Sequence, residues 1–349
     1  MNLCQNLPEQ MLDRWKKIYS EKEFNNLLEA LSNNTLPSFR TNTIKTTTES
    51  LNKSLIKQGF DVERVSWYPD AFILKNKSIP ELTGTDEYKN GLLYIQNLSS
   101  MIPVLTLDPQ TNEKILDITA APGSKATMIA AITKNKATIV ANDISRPRLY
   151  KMERILNDYG IPFQKTQSNQ IASISEFLTL RSSDSQGIPS FLITNIHGER
   201  IWQFYPEYFD KTLVDVPCSM EGRVRCGDPK TYQDWSPKKV KQLSKLQKYL
   251  LRSAISATRV GGIIVYSTCT LSPEENEEVI EWVVDKTPDA LTVEKITMPN
   301  VQLQNSLTAW KKKNFKHTQN CARVFPSETM EGFFIAKIHK KASTISGIH

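Results

Sequence analysis

Two cysteines stand where a thiol could do chemistry. Cys218 follows the apolar run of TLVDVPCSMEG (Thr212–Gly222), which also delivers Asp215 and Pro217, and Cys269 follows that of GGIIVYSTCTLSPEENE (Gly261–Glu277). One cysteine beyond one strand is most often a small buried hydrophobe. Two cysteines beyond neighbouring parallel strands, ~4.8 Å apart, would open into one crevice, where a thiolate can add to an electrophilic carbon. A metal pair is a poor alternative, because His197, His317, His339 and His349 show no ligand spacing with either cysteine. A further motif is LDITAAPGSK, Leu116–Lys125. Its small residues, Ala120 to Gly123, turn the chain between an apolar run and a helix-like one. A ligand can then approach the backbone and the free N–H groups of a helix N-terminus. Asp143, in ANDIS, ends the next strand-like run, where a carboxylate can accept hydrogen bonds from both ribose hydroxyls. An adenosine-containing ligand is therefore expected.

These residues need a sheet to deliver them. Ile115–Ile118, Thr138–Asn142, Thr212–Val216 and Ile263–Tyr266 are short β-rich runs alternating with helix-like stretches, and GFFIAKI (Gly332–Ile338) reads as a closing strand. Such alternation predicts a doubly wound, mostly parallel α/β sheet. The first hundred residues read differently. Met11, Leu12, Trp15 and Ile18, then Phe24, Leu27, Leu28 and Leu31, predict two amphipathic helices. A helix at Glu49–Gln58 and β-type runs over Asp61–Leu74 complete a small α+β module. SPKKVKQLSKLQKYLLRSAI, Ser236–Ile255, predicts a helix capped by Ser236 with Pro237 at its first position. Val240, Leu243, Leu246, Leu250 and Leu251 are its expected buried stripe, and Lys241, Lys245, Lys248 and Arg252 form a separate basic stripe.

In this order and spacing, AAPGSK, DVPCS and YSTCTLSPEENE resemble the Sun/Fmu family of S-adenosylmethionine-dependent RNA cytosine-5 methyltransferases. RTNT (Arg40–Thr43) is similar to the segment opening that family's N-terminal RNA-binding module. YIQNLSSMIPVL (Tyr94–Leu105) is similar to its linker, and RVFPSETMEGFFIA to its closing strand. The resemblance spans about residues 36–340. It implies a Rossmann-like class I methyltransferase domain over 97–340, a small α+β RNA-binding module over 1–96 and a tail at 341–349. By the same resemblance Cys269 is the nucleophile and Cys218 assists release. Asp215 faces the cytosine ring, and Lys125 orients Asp215. Chemistry alone leaves the choice between the two cysteines open. The resemblance further implies S-adenosyl-L-methionine as cofactor, held by Thr119, Ala120, Ala121, Pro122, Gly123, Ser124, Lys125, Asp143 and Asp215. It also implies RNA contacts by Arg40 and Asn42. His197 stands where the family usually has an Asp for the adenine amino group. Ser124 and Met220 replace glycines, which matters only where φ is positive. Thr119 and Ser327 replace a common Cys and a frequent His.

Composition sets the outer bounds. The 349 residues carry 44 Lys+Arg and 37 Asp+Glu, net +7, with 39% hydrophobic residues, too globular for a disordered chain. No apolar run approaches the ~20 residues of a membrane helix, and the N-terminus lacks a secretory pattern. Five scattered cysteines without a CxxC pair argue against a disulfide framework or structural zinc. All the positive excess lies beyond residue 100, which suits a polyanionic partner there. Lys241, Lys245 and Lys248 are candidate RNA contacts. Lys311–Lys313 beside Trp310 and Phe315 could combine charge with base stacking. The expectation is a cytoplasmic, metal-free monomer acting on ribosomal or transfer RNA, with ribosomal RNA favoured. Its rivals are a methyltransferase for another substrate and a non-catalytic RNA-binding or ribosome-assembly factor.

Overall fold

The structure is a computed structural model that describes residues 3–33, 35–166 and 191–345; part of the expected tail lies outside them. In chain order its helices and strands begin with α1 (Glu9–Ile18), α2 (Glu21–Ser32), β1 (Ser38–Thr41), α3 (Thr48–Lys57), β2 (Val62–Arg64) and β3 (Ala71–Leu74). Then come α4 (Ile79–Gly84), α5 (Asp86–Lys89), β4 (Leu93–Ile95), α6 (Ile102–Leu107), β5 (Lys114–Asp117), α7 (Ser124–Ile132) and β6 (Thr138–Asn142). They continue with α8 (Arg146–Asp158), β7 (Phe163–Lys165), β8 (Phe191–Thr194), β9 (Phe209–Asp215), α9 (Pro237–Ala257), β10 (Thr258–Thr268) and α10 (Glu277–Lys286). Short strands β11 (Leu291–Glu294), β12 (Gln304–Asn305), β13 (Ala309–Trp310), β14 (Lys313–Asn314) and β15 (Ala322–Val324) lead to β16 (Phe333–Lys340).

The large sheet runs β12-β15-β16-β10-β9-β5-β6-β8-β7, with β11 also paired to β16. From β10 to β7 every pairing is parallel, and β16 lies antiparallel against β10. Chain order reverses beside β5: β6 lies on one side and β9 on the other. That switch point opens the crevice in which such sheets bind ligands. Separate apolar clusters cover the two faces. One contains Met101, Ile102, Met128, Ile129 and Met152, and the other Leu250, Leu251, Ile255, Val279 and Ile280. Buried strands with helices on both faces are the doubly wound arrangement the sequence predicts.

Residues before the large sheet form two bodies. Strands β2-β3-β1-β4 make a four-stranded antiparallel sheet. The α1–α2 pair instead packs Met11, Trp15, Phe24 and Leu27 against Val224, Tyr232, Trp235 and Leu271, beside the segments that follow the two cysteines. Ser20 caps α2 with a capping box to Glu23. The hairpin is also tied covalently, because Cys4 and Cys226 form a disulfide across 222 residues. The expectation against disulfides is corrected here. Sequence spacing carries no sign of a pair that meets only when the hairpin docks.

Helix α9 starts as expected, Ser236 accepting the Lys239 N–H ahead of Pro237. Its buried face differs from the predicted stripe. Ser244 and Gln247 are buried, whereas Leu243 and Leu246 are half-buried. The reason is chemical: Gln247 reaches a backbone carbonyl and a carboxylate that the sequence alone does not place beside it.

Candidate functional site

A cleft of about 480 Å³ opens at the carboxyl ends of β5, β9 and β10, within the range that accommodates a cofactor-sized ligand. Its walls include Asp117, Thr119, Lys125, Asp215, Cys218 and Cys269. The two sulfurs lie 3.1 Å apart. Parallel pairing of β9 with β10, Asp215 opposite Ser267, brings the two loops together. Asp215 is held from both sides, Oδ1 accepting the Ser267 hydroxyl at 2.8 Å and Oδ2 the Lys125 ammonium at 2.6 Å. Lys125 Nζ also donates to Ser100 Oγ at 2.8 Å. Thr119 Oγ1 donates to the Asp215 carbonyl at 2.8 Å, coupling the β5 turn to the β9 turn. The hydrogen bond to Cys269, then burial, push the Cys218 thiol pKa well above its ordinary value. Cys218 is therefore a thiol at neutral pH.

The turn Thr119–Ser124 forms a cradle. Ala120, Ala121, Pro122 and Ser124 line the cleft, and Gly123 has φ 108° with Met152 Cγ only 2.8 Å from where a Cβ would stand. A side chain at 123 is thus excluded by both backbone and space. Ser124 opens α7 and needs no glycine, whereas Met220 adopts φ 60°, the left-handed conformation costly for a side chain. Two buried acidic groups, Asp117 in the cleft wall and Asp143 behind it, have carboxylate oxygens without an aligned hydrogen bond. Asp117 is 1% exposed, and neither of its carboxylate oxygens has an aligned hydrogen-bond partner, although the Thr119 backbone N–H faces it. Burial, then the nearby Asp215, push its pKa up to about 7. Asp143 accepts Ser145 N–H at 2.8 Å through Oδ1. Its Oδ2 has Arg148 Nη1 at 3.1 Å but no aligned hydrogen bond. Asp117 is a site residue that the motifs do not single out; its signal in the sequence is an acidic side chain closing an otherwise apolar strand at the switch point. Arg148, which also donates to the Ala121 carbonyl, was passed over as well.

Other expected residues fall elsewhere. His197 is exposed at the start of the 3-10 turn Gly198–Gln203 and does not line the cleft. Arg40 and Asn42, expected as RNA contacts, are 0% and 1% exposed. Arg40 donates to Gln96 Oε1 at 2.9 Å, Ser124 O at 3.0 Å and Thr127 Oγ1 at 2.7 Å, and stacks over Tyr94. Asn42 donates to the Gly91 and Tyr159 carbonyls. Both are struts between the small sheet and the α7–α8 layer. Desolvation would leave their carbonyl partners unpaired if they turned outward. Lys241 and Lys245 are exposed, and Lys248 is half-buried with its ammonium 6.0 Å from the Trp282 ring centroid. The expected basic–aromatic surface near 310–315 is also corrected. Trp310 and Phe315 are buried, while Lys311 and Lys313 pair with Glu274 and Glu278.

A doubly wound sheet whose switch-point cleft combines a backbone cradle, a Lys–Asp pair and two facing thiols is the framework of a Rossmann-like transferase domain. Residues 104–339 match the family model described as 16S rRNA methyltransferase RsmB/F, and residues 7–98 that of the N-terminal domain of 16S rRNA methyltransferase RsmF. The chain belongs to the RsmB/F methyltransferase family. It is 34% identical over 344 residues to ribosomal RNA small subunit methyltransferase F of Pectobacterium carotovorum, covering 97% of this chain and 63% of that protein. The chain thus spans about three-fifths of the length of the curated relatives it matches. A methyltransferase homolog protein from Pyrococcus horikoshii superposes with TM-score 0.75 at 29% identity, over 96% of this chain and all of that one. NSun6 from the same organism superposes with TM-score 0.76 at 21% identity, over 96% and 99% of the two chains. The small module and the large sheet, in this order, are therefore a shared architecture.

Proposed function

We propose that this chain transfers a methyl group from S-adenosylmethionine to carbon 5 of a cytosine in structured RNA, through a covalent bond between Cys269 and carbon 6. The observation that carries the reading is the pair of thiols 3.1 Å apart in the cleft beside Asp215. Methyl transfer to oxygen, nitrogen or sulfur needs no thiol, whereas carbon 5 of cytosine becomes nucleophilic only after addition at carbon 6. The cofactor, when bound, supplies an electrophilic methyl sulfonium.

The residues present fit that cofactor. Asp117, buried and unpaired, has the charge to hold an ammonium group, and Asp143 has an unaligned carboxylate oxygen for ribose hydroxyls. The turn from Thr119 to Lys125 would carry the methionine part. Asp215, fixed by Ser267 and Lys125, is oriented to bond cytosine nitrogen 3 and draw off the charge that addition creates. At rest the Cys218 thiol is held protonated beside the Cys269 sulfur. Once Cys269 is bonded to carbon 6 its sulfur is a thioether, and the hydrogen bond that is the main cause of the raised Cys218 pKa is weakened. Cys218 then gives its own proton to solvent and, as the thiolate, takes the proton from carbon 5; the electron pair left behind forms the carbon 5–carbon 6 double bond as the Cys269–carbon 6 bond breaks.

Ribosomal RNA is the favoured substrate, from the family description and the Pectobacterium relative. Lys241 and Lys245, exposed along α9, are the RNA contacts in this reading. The test is to express Cys218→Ala in cells, isolate it under denaturing conditions and sequence the RNA attached. One enriched RNA cross-linked at one cytosine is expected, and the bond should vanish in the Cys218→Ala/Cys269→Ala double variant. A denatured Cys218→Ala protein free of RNA, from cells where the wild-type chain methylates RNA, would sink the covalent route.

A further inference from the structure

Beneath the two thiols lies a buried polar cluster that the mechanism above does not use. Glu275 is 0% exposed, in the segment between β10 and α10. Its Oε2 accepts the backbone N–H of Ser219 at 3.0 Å and the Gln247 amide at 2.8 Å, and its Oε1 accepts the Ser219 hydroxyl. Ser219 Oγ also lies 2.8 Å from Thr270 Oγ1. Ser219 follows Cys218 and Thr270 follows Cys269, so the residues after both thiols meet each other beside this carboxylate, Thr270 reaching it only through Ser219. The same Gln247 amide donates to the carbonyl of Pro217, just before Cys218, at 2.9 Å. The Glu275 carbonyl accepts Tyr266 Oη at 2.6 Å.

We propose that Glu275 is a positioning residue that clamps the loops after Cys218 and Cys269 and sets a negative charge behind Cys218 that opposes an anion on its sulfur. The geometry supplies the first half: three donors converge on one carboxylate, two of them from the residue joined to Cys218. Electrostatics supplies the second, because an anion behind Cys218 opposes a second anion on that sulfur. The groups facing Glu275 are mostly acidic or neutral. They are Glu221 and Cys218 from the loop after β9, Gln247 from α9, Tyr266 from β10 and, across the hairpin interface, Arg14 from α1. Burial, with Glu221 adding to it, pushes the Glu275 carboxyl up to about 7 against the Ser219 hydrogen bonds. It is accordingly ionised at the higher pH where thiols titrate. Assigning different roles to the two thiols rests on the cytosine-5 reading above; the clamp itself does not.

The test uses the full chain without RNA or cofactor. Alkylation of Cys218 and Cys269 by iodoacetamide is followed by peptide mass mapping from about pH 6 to about pH 10. In Glu275→Gln the carboxylate charge is lost and an amide faces the Ser219 and Gln247 donors. The Cys218 profile should move to lower pH, and the Cys269-to-Cys218 rate ratio near pH 8 should fall by about three- to ten-fold. Glu275→Asp, which keeps the charge, should recover part of that ratio. A folded Glu275→Gln protein with an unchanged ratio, or with both thiols shifted alike, overturns the proposal. If Glu275→Gln does not fold, Ser219→Ala, which frees the loop after Cys218 but keeps the charge, is read instead: a changed ratio supports the clamp and an unchanged one overturns it. Failure here, with the Cys218→Ala adduct intact, removes only the clamp. Loss of the adduct with a changed ratio removes only the cytosine-5 reading.

Discussion

The two sides of the cleft, with the residues packed behind them, treat their carboxylates in opposite ways. On the thiol side, Asp215, Glu221 and Glu275 have both oxygens engaged: by Ser267 and Lys125, by the Trp15 and Trp235 indoles, and by Ser219 and Gln247. On the cradle side, Asp117 has neither oxygen engaged and Asp143 only one aligned. A buried polar atom without a partner costs about 1–3 kcal/mol. The thiol half is thus finished within the chain itself, and the cradle half is built for a ligand that brings its own donors.

Breaking the finished half should have the largest effect. Cys269→Ala is expected to lower methyl transfer by at least about 10⁴-fold while leaving cofactor binding within about two-fold, because in the proposed route Cys218 serves only in release. Single-turnover rates and calorimetry on the same preparation check both parts. Next is the strut behind the cradle. Arg40→Ala leaves Ser124 O and Gln96 Oε1 without their donor and should cost about 3 kcal/mol in urea unfolding. If Arg40 served RNA instead, the loss would appear in RNA affinity with stability unchanged.

Asp117 sharpens the contrast, because removing an unpaired charge should hurt binding and help folding. Its folded pKa of about 7 lies above the ordinary carboxylate value, so the folded chain holds a proton that the unfolded chain has lost. Stability from this site is therefore present at low pH and lost as pH rises from about 4 through about 7. Asp117→Asn should melt higher than wild type at pH 8, by on the order of 2 kcal/mol, and the gap should close as pH falls to about 4. The same variant should bind S-adenosylmethionine about ten-fold more weakly at pH 8. Wild-type affinity should rise between about pH 6 and 8, and the variant's should stay flat. The smallest effect is at the rim. Met220→Gly relieves a left-handed conformation and should add up to about 1 kcal/mol, partly offset by unfolded-state entropy, with activity retained.

Much of this was legible along the chain. The run predicted at Thr138–Asn142 is β6 residue for residue, and the helix predicted from Ser236 opens at Pro237. Both signals are local, an apolar run and a cap followed by proline. The cradle and both cysteine loops were readable because each follows its own strand. The misreadings are long-range. Arg40 and Asn42 look like surface residues until the small sheet docks, and Cys4 has no visible partner until α1–α2 reach the loop carrying Cys226.

By itself, then, the sequence determined which chemical groups exist and which strand ends carry them, because side-chain periodicity and turn chemistry act over a few residues. Only the tertiary structure decided how those groups pair. Whether a carboxylate stands unpaired like Asp117 or clamped like Glu275 depends on residues tens of positions away. So does the 3.1 Å meeting of two thiols 51 residues apart, set by parallel pairing of β9 with β10. Burial sets the cost of each arrangement, and burial is a property of the packed molecule, not of the chain.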